Sequence, residues 1–326
     1  MPDKKGIVMN AKKTGLLIFA ILISVCIPLH ALANAPSGCF IWMEYGDSPT
    51  TGMKIWQKGR KSGYCVASAV EPFVELSDDE DGYLLTNPDD ETSRYMAIRD
   101  VAVDPNTYTV LSLKEDGSRP PLFTFSAKNV FSFLGFQETS VYFARRFQLS
   151  DGIPYRYSII RSDSGKETVL ISFENAHWKR PSINAKGEIL YTSLSDGVQK
   201  VFYLDANLNS VEIIEGSDAV WYDDKTFLYI RDDCLRRFDL TTSEDELYLT
   251  EKGQPVSVGL NPYVGGGIYL SADRTALVYA AEVEEMWLFM IHSGYYSKRW
   301  NVLNLSTGSV SVIGNMEESH DNAVAY

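Results

Sequence analysis

A short apolar strand recurs along this chain, centred near Ile41, Ala97, Tyr142, Tyr191, Tyr229 and Tyr279, so that successive copies stand 56, 45, 49, 38 and 50 residues apart. One copy cannot bury its own apolar face, and a chain built from such copies must close them into a ring or stack them. The clearest copy is Pro181-Ser-Ile-Asn-Ala-Lys-Gly-Glu-Ile-Leu-Tyr-Thr-Ser193. It is followed by an alternating stretch, Val201-Phe-Tyr-Leu-Asp205, a turn, Ala206-Asn-Leu-Asn209, and a second alternating stretch, Ser210-Val-Glu-Ile-Ile214. Period-2 alternation broken by Asn, Asp, Ser and Gly is the chemistry of a four-stranded antiparallel meander. Long helical periodicity is nearly absent after residue 33.

The segment from Pro181 to Asp205 resembles the repeat of TolB-like (PD40-type) β-propellers, which reads Pro-x-Trp-Ser-Pro-Asp-Gly-Lys before an apolar strand ending in Phe or Tyr. This copy keeps Pro181, Gly187, Ile189, Leu190, Tyr191, Ser193, Asp196, Gly197 and Tyr203, while Ile183, Ala185 and Lys186 replace the Trp, Pro and Asp. A second copy keeps Ser271, Asp273 and the strand Leu277-Val-Tyr279, and a third keeps Trp221 and Phe227-Leu-Tyr229. The resemblance spans roughly residues 130 to 313 and fades toward the N-terminus. It implies an all-β fold, a six-bladed propeller of four-stranded antiparallel blades, with five or seven blades also compatible with the degenerate N-terminal copies. Propellers host binding modules, scaffolds and enzymes alike.

Residues 1–33 read as a cleavable export signal, leaving 34–326 as one propeller domain. Lys4, Lys5, Lys12 and Lys13 precede the apolar run Leu16 to Leu29, and Ala31-Leu-Ala33 supplies the small residues of a cleavage site. The run of 14 residues is short of the ~20 needed to span a bilayer, so no stable membrane span is expected after cleavage. Val25 is a poor neighbour for a lipidated Cys26, and Met9 begins a more ordinary signal than Met1 does. These features place the protein in the periplasm or outside the cell.

Of 30 basic and 43 acidic residues, the signal holds four Lys and one Asp, so the remainder carries 26 against 42 and a formal charge of −16. That balance repels nucleic acid and anionic membranes and suits solubility or a basic protein partner. Asp78-Asp-Glu-Asp81 and Asp89-Asp-Glu91 flank Gly82 out of register for a calcium loop and read as solvated loops. Beyond the signal, Cys39, Cys65 and Cys234 remain. Cys39 and Cys65 flank the first strands of the ring, where a disulfide would pin a terminal blade and contribute roughly 3 to 4 kcal/mol. Cys234 is expected to stay a buried thiol.

Catalytic signatures are missing. No Gly-x-Ser-x-Gly elbow and no His-Glu-x-x-His pair occurs, and no cofactor or metal is implied. Arg161-Ser-Asp-Ser-Gly-Lys-Glu-Thr168 reads as a hairpin turn rather than a sialidase-type aspartate box, and Gly265-Gly-Gly267 as an inter-blade loop.

Blade topology points to a working face. The loop between second and third strands and the connection to the next blade emerge on the same side of the ring. Three unusual segments map there: Ala144-Arg-Arg-Phe147 with its loop to Pro154, Phe173 to Arg180, and the insertion Glu282 to Tyr296. They single out Arg145, Arg146, His177, Trp178, Lys179, Arg180, Trp287, His292, Tyr295 and Tyr296, aromatics and Arg being typical interface anchors. The competing reading is that Trp287, Phe289 and Ile291 alternate because a long hairpin packs on its own blade. A protein-binding or scaffold module in the bacterial envelope, monomeric by itself, is the leading expectation, with an immunity-type inhibitor of a toxic partner as one version. The alternative is a carbohydrate-active enzyme, a glycoside hydrolase or polysaccharide lyase using central carboxylates.

Overall fold

The computed structural model describes residues 40–42, 44–45, 53–54, 80–90, 93–100, 103–104, 106–114, 118–149, 155–258, 268–271, 274–284, 296–316 and 323–325. All of them belong to one compact unit, Pro36–Tyr326. Residues 1–33, Cys39, Cys65, Trp287, His292 and Tyr295 lie outside the described residues. Every regular element described is a strand, and no helix among them is long and apolar enough to cross a membrane.

Three short strands come first: β1 (Phe40–Trp42), β2 (Glu44–Tyr45) and β3 (Met53–Lys54). Five four-stranded antiparallel sheets follow. Blade one holds β4 (Glu80–Leu85), β5 (Arg94–Asp100), β6 (Thr107–Leu113) and β7 (Pro121–Ser126). Blade two holds β8 (Ser132–Gln137), β9 (Ser140–Gln148), β10 (Tyr155–Asp163) and β11 (Lys166–Asn175). Blade three is built from β12 (Ser182–Ile183), β13 (Ile189–Ser195), β14 (Val198–Leu204) and β15 (Ser210–Glu215). Blade four comprises β16 (Ser217–Trp221), β17 (Thr226–Arg231), β18 (Cys234–Asp239) and β19 (Asp245–Leu247). Blade five has β20 (Ile268–Leu270), β21 (Ala276–Glu284), β22 (Tyr296–Asn304) and β23 (Val310–Met316), and β24 (Ala323–Ala325) ends the series.

The chain is therefore a β-propeller with five four-stranded blades among the described residues, a number the sequence allowed beside six. The first strands touch in order around the ring, β4 to β8, β12, β16 and β20. The remaining interval holds β24, which contacts both β20 and β4 and pairs antiparallel with β1. Outside the five blades, the described residues form two two-stranded sheets, β1 with β24 and β2 with β3.

Ala97, Tyr142, Tyr191, Tyr229 and Tyr279 all fall in the second strand of their blades. The reason these strands read as apolar runs rather than alternations is that each is buried on both faces. On β9, Val141 and Phe143 pack with Leu85, Tyr108 and Phe133 toward blade one, whereas Tyr142 and Ala144 pack with Trp178, Ile189 and Tyr191 toward blade three. Comparable cores fill the next two seams, around Phe227 and Trp221 and then around Leu277 and Val258. The hydrophobic effect thus acts between blades, and no single blade has a core of its own.

Turn chemistry agrees with the sequence. Ser164-Gly165 and Asp196-Gly197 take positive φ at both positions, the geometry of two-residue hairpins. In the turn before β13, Asn184 Oδ1 accepts from the N–H groups of Lys186 and Glu188 at 3.0 Å, performing the task of the missing Pro-Asp pair. Gly216 alone joins β15 to β16 with φ +147, and a Cβ there would lie 2.6 Å from the Tyr229 ring. Only glycine fits.

Candidate functional site

The face carrying second-to-third loops and inter-blade connections is built most fully around blade two. The segment Ala144 to Phe147, placed by the sequence on this face, is strand: β9 runs to Gln148 and pairs Arg145 with Ser158, Arg146 with Tyr157 and Phe147 with Arg156. The hairpin therefore continues beyond the buried part of the blade, because pairing with β10 satisfies its backbone.

An aromatic stack rises through this hairpin. Trp178, 5 % exposed, packs on Tyr157 at 5.0 Å and edge-on against Phe131 at 5.3 Å between ring centroids. Tyr157 in turn meets Tyr155 at 6.3 Å and Phe131 at 5.9 Å. Above them sits the exposed Arg146, its guanidinium carbon 4.3 Å from the Phe131 centroid and 5.1 Å from that of Tyr155. Phe147 beside it remains 49 % exposed. Each cation–π contact at an exposed site stabilises by roughly 0.5–1 kcal/mol, and the rings hold the Arg in place before anything binds.

Arg145 serves differently. Its Nε donates to the Lys128 carbonyl at 2.7 Å and its guanidinium pairs with Glu167 at 2.7 Å, so it fastens strands and connection together. His177 is half-buried, and burial, then the Lys179 charge, holds its pKa below the ordinary value, leaving a neutral ring at pH 7.

The structure disperses the three residues after His177. Trp178 enters the seam between blades two and three. Lys179, 3 % exposed, forms an ion pair of 2.9 Å with Asp218, 1 % exposed. Ser217 Oγ donates to the same Asp218 oxygen at 2.6 Å, and the Asp218 N–H donates to Thr192 Oγ1 at 3.2 Å. Arg180 points to the ring axis, donating to the Leu134 carbonyl at 2.9 Å and lying 5.2 Å from the Tyr269 ring. A connection passing from an outer strand to the next inner strand crosses the seam and then the axis, so its successive side chains meet different surroundings. Trp178 and Lys179 are accordingly inaccessible from the loop face. Tyr296 begins β22, and Trp287, His292 and Tyr295 lie outside the described residues.

Sequence reasoning brought Arg146 and Trp178 to one place but passed over Phe131 and Tyr155, which connect them. A signal was present: Phe131 directly precedes β8, and Tyr155 directly follows Pro154 at the start of β10. Among the described residues, no three His, Cys, Asp or Glu side chains gather as a metal site. Cys234 carries no disulfide.

No protein-family model and no curated protein matches the chain. Solved structures with a similar fold include TolB from Acinetobacter baumannii, at 12 % identity and TM-score 0.39, matching 76 % of this chain and 66 % of that one. A puromycin-hydrolysing peptidase from Mycobacterium tuberculosis aligns at 9 % identity and TM-score 0.43 over 87 % of this chain and 46 % of its own. A quinonprotein alcohol dehydrogenase-like protein from Bacteroides thetaiotaomicron aligns at 7 % identity and TM-score 0.43, over 88 % and 78 %. The chain thus spans less than two thirds of the TolB and peptidase chains. At these TM-scores the likenesses carry nothing beyond the fold, which the chain's own sheets establish.

Proposed function

We propose that this chain is an exported propeller that binds a protein partner in the bacterial envelope through the blade-two hairpin, with Arg146, Phe147 and Tyr155 as its anchors. The observation that supports this reading is the exposed Arg146 held over Phe131 and Tyr155 with Phe147 uncovered beside it. Aromatics and Arg dominate interface energetics, and side chains already fixed lose little entropy on association. The export signal in residues 1–33 and the absence of catalytic motifs favour the same reading.

Asp223, in the recess at the mouth of the axial cavity, gives no support to enzymatic use of central carboxylates. Asp223 is partly buried, which raises its pKa, but the N–H groups of Lys225 and Thr226, the Thr226 hydroxyl and Arg237 together bring it below the ordinary value. A general acid in glycoside cleavage requires the opposite shift.

The test is cross-linking and pull-down from envelope fractions with the mature protein, followed by reconstitution with the purified partner. Arg146→Ala and Phe147→Ala should each weaken that complex about tenfold, the equivalent of ~1.4 kcal/mol, while leaving the melting temperature within a degree or two. A partner that binds both variants as tightly as the native protein would show that another surface is used.

A further inference from the structure

The ring axis holds a cavity of about 90 Å³. Its wall takes Leu134, Ile183, Val220 and Tyr269 from four inner strands and Thr86 from the end of the fifth. One water needs roughly 10–15 Å³ of such space, so the cavity admits a small organic molecule's end group. It widens into a recess of about 420 Å³ on the face of the first-to-second strand turns, the two sharing Pro88, Ile183, Trp221 and Arg274. This mouth is on the side opposite the Arg146 hairpin.

Charge is distributed along the passage in opposite senses. Arg180 lies in the inner cavity, and among the described residues no carboxylate pairs with it. Its contacts are two carbonyls, those of Phe133 and Leu134, and the Tyr269 ring, while its buried Nε has no hydrogen-bond partner. The recess instead carries Asp89, Asp90, which accepts from the Tyr95 hydroxyl at 2.7 Å, Asp223 and Asp224, set against one cation, Arg274, which lines both spaces and donates to the Tyr222 carbonyl at 2.6 Å. Two of these acids have loose outward pairs, Asp224 with Lys186 at 3.4 Å and Asp223 with Arg237 at 3.8 Å. Such half-exposed pairs contribute little and are readily exchanged.

A half-buried guanidinium that lacks a counter-ion favours a carboxylate, with which it makes charge-assisted bonds. A bare anion must pass four aspartates offset by the single Arg274, in a chain of formal charge −13, and is repelled by the net negative entrance. A bare cation is welcome at the rim but opposed inside by Arg180. Only a molecule carrying both charges, the negative one leading, matches the whole passage. We propose that the axial cavity binds a small zwitterion of amino-acid size, with its carboxylate on Arg180 and its ammonium group toward the rim aspartates. This site is independent of the protein-binding hairpin, and either can fail without the other.

The test is calorimetric titration of the mature protein with four probes: L-alanine, β-alanine, acetate and ethylammonium. At least one zwitterion should bind saturably at one per chain and at least tenfold tighter than acetate or ethylammonium. Arg180→Gln, which keeps a donor for the Leu134 carbonyl, should weaken zwitterion binding at least tenfold. The double variant Asp89→Asn, Asp224→Asn alters exposed side chains only and should reduce the zwitterion preference over acetate to less than threefold. The proposal is overturned if both zwitterions bind no better than acetate, or if folded Arg180→Gln binds as the native protein does. Should Arg180→Gln not fold, the rim variant decides, and an unchanged preference there overturns it.

Discussion

Replacing Asp218 by Asn tests how the connection from blade two to blade three is anchored on the first strand of blade four. Both charges of the Lys179–Asp218 pair are almost wholly removed from water, at 3 % and 1 % exposure and 2.9 Å separation. Asn keeps the volume of Asp, and it tolerates the left-handed backbone found there, φ +54. The variant therefore isolates the charge. Removing one member of a buried pair leaves the other uncompensated and costs about 3–5 kcal/mol, a large share of a typical net stability of ~5–15 kcal/mol. Equilibrium unfolding in urea at pH 7 should report that loss. Adding Lys179→Met removes the stranded charge and should restore most of the loss, since buried pairs replaced by apolar groups are often neutral. A cost below ~1 kcal/mol for Asp218→Asn, or a double variant no better than the single one, would refute the reasoning and mean that water reaches the pair.

Trp178→Ala should lower stability by about 3–5 kcal/mol through lost packing on Tyr157 and Phe131, seen as a fall in melting temperature that Arg146→Ala does not share. Asp245 accepts from Tyr229, Arg231 and Arg236 at 2.8 to 3.0 Å. Burial raises its pKa, but these donors outweigh it and the net shift is downward. The stability it contributes is present above the unfolded value near ~3.9 and lost as pH falls through the lower folded value. Asp245→Asn should thus cost about 1.5–3 kcal/mol at pH 5 to 8, in a urea titration whose gap to the native protein closes below pH ~4. Non-reducing peptide mapping of exported protein should recover Cys39 joined to Cys65 and Cys234 free, and a crosslinked Cys234 would contradict the expected arrangement.

Sequence alone determined the element type, the antiparallel meander, the spacing of the blades and even which strand of each blade holds the apolar run. Those properties are local: alternation, turn residues and β-branched or aromatic runs act within a few residues, and they repeat. Gly187, Gly197 and the Asp196 turn marked the hairpins for the same reason. Blade number was legible only as a range, because closure depends on how β24 meets β1 across nearly the whole chain, and no local rule encodes such a pairing. The fate of consecutive residues was also decided by the tertiary structure. His177 to Arg180 looks uniformly like an interface segment, yet the fold places Trp178 in a seam, Lys179 against Asp218 and Arg180 on the axis. Burial and partnership come from residues 39 and 89 positions away, as Asp218 and Tyr269 are from Lys179 and Arg180. Packing of whole blades brings these together, and only after that packing does a charge or a ring acquire its role.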